Sequence, residues 1–332
     1  MGECKFISRT LKIVQMILSS FLIIAGFFGL IFGANWLVDG ASSLAKKHNI
    51  PDLIIGLTIV AFGTSAPELV VNSVASVDGL SDIVLANVIG SNNFNLFIIL
   101  GIAGLIYPIS VRSSMVRKEI PISLMVVLLL MLLANNFYLG GNLVISRWDG
   151  LLLLACFVGF LVYLFKNMKA EHPEEITHTE KSNLKIWTLI ILGLTGLIVG
   201  GKLVVDNSIG IATDLGISQK IIGLTIIAAG TSLPELLTSV VAALKKNSDI
   251  AIGNVIGSNI FNVLLIVSVS SLINPIQFNT VFNQEFLILI GGTVFLILAM
   301  FTGKRKMLDR WEALLLIGFY LSYTIYLVLK EL

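Results

Sequence analysis

Runs of about 20 apolar residues, the length that crosses a bilayer core roughly 30 Å thick, recur along this chain. They fall at 12–33, 53–77, 82–106, 121–138, 149–166, 186–206, 220–244, 249–273, 284–302 and 311–330. The sequence therefore predicts an all-α membrane protein with ten transmembrane helices. The first is expected to continue through Asn35, Trp36 and Asp39 toward Ala45, since no Gly or Pro cluster stops it before Lys46 and Lys47. Composition agrees: of 332 residues 56% are hydrophobic and 13% charged, against about 25% charged in a globular chain, and the mean hydropathy is +0.95. A net charge of +2 from 22 basic and 20 acidic residues leaves no basic face for a nucleic acid. Cys4 and Cys156 are too few for a disulfide framework or a metal cluster. The N-terminal apolar run is too long for a signal peptide and is read as the first span.

The chain also repeats itself. The segment GLTIVAFGTSAPE at 56–68 returns as GLTIIAAGTSLPE at 223–235, identical at 10 of 13 positions and displaced by 167 residues. A second segment, NVIGSNNFN at 87–95, returns as NVIGSNIFN at 254–262 with the same displacement, and Asp39 and Asp206 obey it too. The expected organisation is a five-helix repeat over 1–166, a polar acidic linker over 167–185, and a second five-helix repeat over 186–332. Five is odd, so the second copy enters the membrane inverted. Inverted repeats are the architecture of secondary transporters, with the substrate site at the midplane where the repeats meet. Lys and Arg concentrate in the loops joining spans 1–2, 3–4, 5–6, 7–8 and 9–10. The positive-inside rule makes those loops and the linker cytoplasmic and puts both termini outside, with Lys5, Arg9 and Lys12 opposing that orientation.

Each repeat places a glutamate near the centre of a span, Glu68 in 53–77 and Glu235 in 220–244, where an ionisable side chain costs at least about 2.5 kcal/mol. Each follows a proline, Pro67 or Pro234, which lacks an N–H and clashes with the carbonyl four residues back, so the helix must break there. A broken helix is tolerable in lipid only where it lines a polar cavity. Thr64, Ser65, Thr231 and Ser232 stand beside the breaks. Spans 3 and 8 add Ser91, Asn92, Asn95, Ser258, Asn259 and Asn262, of which Asn92 and Asn259 serve equally well as helix-packing contacts. A set of carboxylate, hydroxyl, amide and carbonyl oxygens without Cys or His suits hard cations such as Ca²⁺ or Na⁺, and Mg²⁺ less well. Two glutamates neutralise one Ca²⁺ or accommodate several Na⁺, and competition for the same carboxylates would couple the two ions. No nucleotide motif is visible, so an ion gradient is the expected energy source.

At these motifs, G-T-S-x-P-E and G-S-N-x-F-N present twice and in order, the chain resembles the sodium/calcium exchangers of the cation/calcium antiporter superfamily, prokaryotic type. The resemblance covers essentially the whole sequence. It implies that Glu68 and Glu235 bind Ca²⁺ directly with Thr64 and Thr231 assisting. It further implies that Na⁺ uses the same glutamates with Ser65, Ser232, Ser91, Ser258 and the carbonyls of Ala61 and Ala228, and that Asn95 and Asn262 complete the central site. Spans 1 and 6 would form a mobile pair against the other eight, and their glycines (Gly26, Gly29, Gly33; Gly193, Gly196, Gly200, Gly201) fit that or simple close packing. Potassium-dependent relatives carry Asp where this chain has Asn262, which argues against K⁺ co-transport, and the short linker leaves no separate Ca²⁺-sensing domain. The resemblance also implies a plasma (inner) membrane location, no cofactor, no nucleotide partner and no enzymatic activity.

Three other functions compete. A Ca²⁺/H⁺ antiporter could use the same glutamates, but H⁺ needs no hydroxyl or carbonyl ligands. A passive cation channel would not need an inverted repeat, and a non-transporting assembly protein would not account for paired midplane glutamates. His48, His172 and His178 fall in loops and are read as solvated, as is the acidic stretch at 171–175. Asp39 and Asp206, near span ends, are expected to be paired or hydrated rather than ion-binding.

Overall fold

The computed structural model of the chain describes residues 2–136, 143–167, 181–215, 228–302 and 306–331. Most of the expected linker and the first part of the expected seventh span, through Ile227, lie outside the described residues. The helices of more than ten residues among the described residues are α1 (Gly2–His48), α2 (Asp52–Thr64), α3 (Ala66–Val77), α4 (Ser81–Ile106), α5 (Glu119–Ala134), α6 (Arg147–Asn167), α7 (Asn183–Asp214), α8 (Leu233–Leu244), α9 (Ser248–Ile273), α10 (Phe282–Ala299) and α11 (Arg310–Glu331). The first helix runs to the basic pair, as its unbroken sequence predicts. Among the described residues six helices are long and apolar enough to cross a membrane. A seventh is obtained if α2 and α3, bent by 46° at their junction, count as one broken span, and α8 is a shorter apolar helix.

Among the described residues, three wide, π-type turns interrupt the helices, at Gly56–Val60 in α2, Asn95–Ile99 in α4 and Asn262–Ile266 in α9. The last two begin on equivalent asparagines of the two motifs. Such a turn inserts one residue into the helical ladder and rotates everything beyond it, a device common at functional sites.

The polar motifs sit in the most buried helices. α4 and α9 are enclosed along most of their length, whereas α1, α6, α7 and α10 expose most of theirs. α2 crosses α9 at glycines: a Cβ on Gly253 would lie 2.9 Å from the Leu53 carbonyl oxygen, so only Gly permits this approach. α1 and α7 likewise touch backbone to backbone. A Cβ on Gly33 would meet the Gly193 oxygen at 2.8 Å and one on Gly200 would meet the Gly26 oxygen at 2.6 Å. The glycines of both helices thus serve close packing.

The loops gather at two ends. At one, the two-residue strands β1 (Ile109–Ser110) and β4 (Met307–Leu308) pair antiparallel, and Ser110 N–H donates to Ser248 Oγ at 3.3 Å. Arg112 bonds Asp249 at 2.6 Å and Lys245 reaches from the α8–α9 loop to Asp39 of α1 at 2.8 Å. At the other, β2 (Val144–Ile145) pairs antiparallel with β3 (Ile276–Gln277), and Gln277 N–H donates to Ser81 Oγ at 3.0 Å. Ser81 and Ser248 are equivalent under the 167-residue displacement, as are Ser110 and Gln277, yet each pair is divided between the two groups of loops. Asp39 is paired to Lys245, and Asp206 lies 3.9 Å from Lys202 on the same helix with both side chains exposed, as expected of aspartates outside the ion site.

Candidate ion-binding site

The helix breaks occur where the prolines require them. Ser65 (φ −82°, ψ 6°) separates α2 from α3, and Ser232 (φ −88°, ψ 7°) precedes α8 with nearly the same backbone. Pro67 and Pro234 then stand in the first turns of α3 and α8, where their missing N–H groups cost nothing. Glu68 and Glu235 follow immediately, each 1% exposed. Neither carboxylate has a basic partner among the ion pairs of the described residues.

Each carboxylate is held instead by the serine at the opposite break. Ser65 Oγ donates to Glu235 Oε1 at 2.9 Å, and Ser232 Oγ donates to Glu68 Oε1 at 3.3 Å. The same exchange of partners governs the rest of the site. Thr64 Oγ1 donates to Asn254 Oδ1 at 3.0 Å and Thr231 Oγ1 to Asn87 Oδ1 at 3.2 Å. Asn95 Nδ2 donates to Asn259 Oδ1 at 3.1 Å and Asn262 Nδ2 to Asn92 Oδ1 at 2.9 Å. Asn92 and Asn259 each donate to the other's main-chain oxygen, at 3.2 and 3.3 Å. Every one of these bonds joins one sequence repeat to the other and has a counterpart 167 residues away at both ends, the signature of a local two-fold exchange.

Among the described residues, three pairs of equivalent buried side-chain oxygens make no hydrogen bond: Oε2 of Glu68 and Glu235, Oγ of Ser91 and Ser258, and Oδ1 of Asn95 and Asn262. The other unbonded buried atoms, such as Thr238 Oγ1 and Glu119 Oε2, have no unbonded counterpart in the second copy. Buried oxygens without a donor are costly, and carboxyl, hydroxyl and amide oxygens are the ligand types that a hard cation takes. Among the described residues no three His, Cys, Asp or Glu side chains are grouped so that they could hold a metal ion by themselves.

The sequence-predicted residues separate by role. Glu68, Glu235, Ser65, Ser232, Thr64, Thr231, Asn95 and Asn262 each take part in one of the reciprocal bonds above, and Ser91 and Ser258 lie one turn before Asn95 and Asn262 on α4 and α9. The carbonyl of Ala61 already accepts from Ser65 N–H at 3.0 Å and Thr64 Oγ1 at 3.3 Å, and Ala228 opens the described turn Ala228–Gly230. Asn92 and Asn259 are contacts between repeats. Sequence reasoning assigned no task to Asn87 and Asn254, which hold the two threonines. Their signal was present, since both open the second repeated motif. Asn254 also donates from Nδ2 to the Glu235 main-chain oxygen at 3.2 Å and to Ser239 Oγ at 3.0 Å.

Comparison with known proteins agrees with this geometry. The family model described as sodium/calcium exchanger protein matches residues 18–166 and 185–329. The chain is 35% identical over 320 residues to the putative antiporter CaxA of Alkalimonas amylolytica, covering 93% of this chain and 98% of that protein. It is 32% identical to the sodium/calcium exchanger MaX1 of Methanosarcina acetivorans, covering 94% and 99%. Its fold superposes on a solved structure of the sodium-calcium exchanger NCX_Mj with a TM-score of 0.81 and 32% identity, covering 92% of this chain and 97% of that one. This chain is therefore an integral membrane protein and belongs to the sodium/calcium exchanger family.

Proposed function

We propose that this protein exchanges Na⁺ for Ca²⁺ across a prokaryotic plasma (inner) membrane by alternating access to a midplane site. The observation that carries the reading is the set of six unbonded oxygens in three symmetric pairs, two of them on carboxylates. Two negative charges balance one Ca²⁺. Na⁺ ions compete for the same carboxylates, with the hydroxyl and amide oxygens completing their coordination, so occupation by one ion excludes the other. A proton would need the carboxylates alone, and the paired Ser91, Ser258, Asn95 and Asn262 oxygens favour Na⁺ as the coupling ion over the Ca²⁺/H⁺ alternative. The protein moves ions and makes no covalent change in them.

The architecture that suits this function is ten spans in two inverted five-helix repeats, 1–166 and 186–332, joined by a cytoplasmic linker at 167–185, with both termini outside. Two features support the inversion: the division of equivalent residues Ser81 and Ser248 between opposite groups of loops, and the reciprocal bonds that join the repeats at the site. Two copies of one unit that differ in conformation can exchange those conformations, opening the site first to one side and then to the other. The packed α1–α7 pair is the element that would move as a body against the rest.

Uptake of ⁴⁵Ca²⁺ into Na⁺-loaded proteoliposomes tests the function. An outward Na⁺ gradient without K⁺ is expected to drive accumulation, and a proton gradient of equal size is not. Accumulation driven only by the proton gradient, or only when K⁺ is present, would overturn the assignment of the coupling ion.

A further inference from the structure

Two adjacent asparagines on α4 face different neighbours. Asn92 bonds across to Asn259 and Asn262 of the second repeat, whereas Asn93, about 100° further round the helix, donates from Nδ2 to Glu285 Oε2 at 3.1 Å and to the Glu285 main-chain oxygen at 3.3 Å. Glu285 stands half-buried in the first turn of α10, and its Oε1 accepts from the Tyr323 hydroxyl of α11. No Lys or Arg pairs with it among the described residues. An ionisable side chain in an apolar helix is costly to keep and is retained for a function, yet the ion site has no use for this one.

The duplication supplies an internal comparison. Glu119 stands in the first turn of α5 as Glu285 does in that of α10, 166 residues later, and it too accepts from a tyrosine of the following span, Tyr163, at 2.6 Å. α5 packs on α9 as α10 packs on α4. The residue equivalent to Asn93 is Ile260, however, and Glu119 Oε2 makes no hydrogen bond. The carboxylate–tyrosine pair thus occurs twice and the tether to a central helix once. Asn93 lies at the middle of α4 and two residues before Asn95, where the wide turn begins. Phe94 and Phe97 flank it against Tyr320 of α11, with ring centroids 6.5 and 5.7 Å apart.

We propose that Glu285 and Asn93 are a positioning pair, which holds α4 from behind and so fixes the direction in which Asn95 presents its unbonded Oδ1 to the ions in the first repeat alone. The inference rests on the ion-site reading above. Removing the tether frees α4 to rotate about its axis and weakens Ca²⁺ binding without touching a ligand.

The test uses the full-length protein with Asn93→Ile, which copies the residue of the second repeat, Glu285→Leu, Glu285→Gln and the double variant Asn93→Ile/Glu285→Leu. Equilibrium ⁴⁵Ca²⁺ binding, Ca²⁺ half-saturation of uptake, maximal rate and thermal midpoint are measured for each. Loss of a hydrogen bond to a charged acceptor should weaken Ca²⁺ binding about tenfold in Asn93→Ile and in Glu285→Leu. Glu285→Gln keeps a carbonyl for the Asn93 amide and should stay within about threefold of wild type. The double variant should match the singles in affinity, since they break one interaction between Asn93 and Glu285, and a lower melting point shared by both Glu285→Leu variants reports the Tyr323 hydroxyl left without its acceptor. Wild-type Ca²⁺ affinity in both single variants overturns the proposal, as does a lower thermal midpoint and rate at unchanged affinity, the pattern of a plain structural brace. Wild-type protein that binds Ca²⁺ but does not take it up would sink the exchange function instead, leaving the positioning pair to be judged on binding alone.

Discussion

Replacing Glu68 or Glu235 by Gln tests the charge balance of the site with little change of shape. Each carboxylate uses Oε1 to accept from a serine of the other repeat, at 3.3 Å for Glu68 and 2.9 Å for Glu235, and leaves Oε2 without a hydrogen bond. A glutamine that keeps its oxygen toward the serine turns its NH₂ toward the place of Oε2, so one negative ligand becomes a donor pointing at the cation. Breaking a buried charge pair by removing one partner costs about 3–5 kcal/mol, which at about 1.4 kcal/mol per decade weakens Ca²⁺ binding by two to three and a half powers of ten. The ion-free protein changes in the opposite direction, because a carboxylate 1% exposed is itself a burden on the fold. The assay is the thermal midpoint of purified protein with and without Ca²⁺, alongside ⁴⁵Ca²⁺ uptake. Wild type held at about 100 times its dissociation constant gains about 2.7 kcal/mol from the ligand, and both variants at the same Ca²⁺ concentration should gain little or nothing while melting no lower than wild type without Ca²⁺. Either variant retaining Ca²⁺ half-saturation within about fivefold of wild type, about 1 kcal/mol, would refute the two-glutamate site.

Three further outcomes are expected. Single cysteines at Asp78 and Lys246, in a protein with Cys4 and Cys156 replaced, should react differently with an impermeant thiol reagent on intact cells, only Asp78→Cys being labelled, while equal labelling would contradict the inverted repeat. Gly193→Val places a Cβ 2.6 Å from Leu37 N, forcing α1 and α7 apart at a cost of about 1–3 kcal/mol or more, which should appear as a lower thermal midpoint. Asn254→Ala removes the acceptor of Thr64 Oγ1 and the donors to Glu235 O and Ser239 Oγ. It should lower stability by about 1–3 kcal/mol and raise the half-saturation for Ca²⁺, whereas an unchanged half-saturation would remove Asn254 from the support of the site.

Much of this was legible in the sequence because the signals are local or repeated. Apolar runs of membrane length dictate helices since lipid offers the backbone no other partner, and a proline before each glutamate dictates a break because it lacks the N–H and clashes with the preceding turn. The duplication singled out the two glutamates, the serines and threonines beside them, and the asparagines of the second motif, and α1 ended at the basic residues that marked its limit. What the tertiary structure alone decided is which oxygens remain unbonded. Asn92 and Asn95 are separated by two residues on one helix, yet one binds across to the other repeat through both its polar atoms and the other keeps an unbonded oxygen. That difference depends on the place where α9 crosses and sets Asn259 and Asn262 against them, which no propensity announces. The tasks of Asn87 and Asn254, the cross-bonding of each glutamate to the opposite serine, and the tether from Asn93 to Glu285 likewise join residues far apart in the chain. Local chemistry determines what each residue is able to bind, while the packing of two copies around a shared axis determines what it does bind.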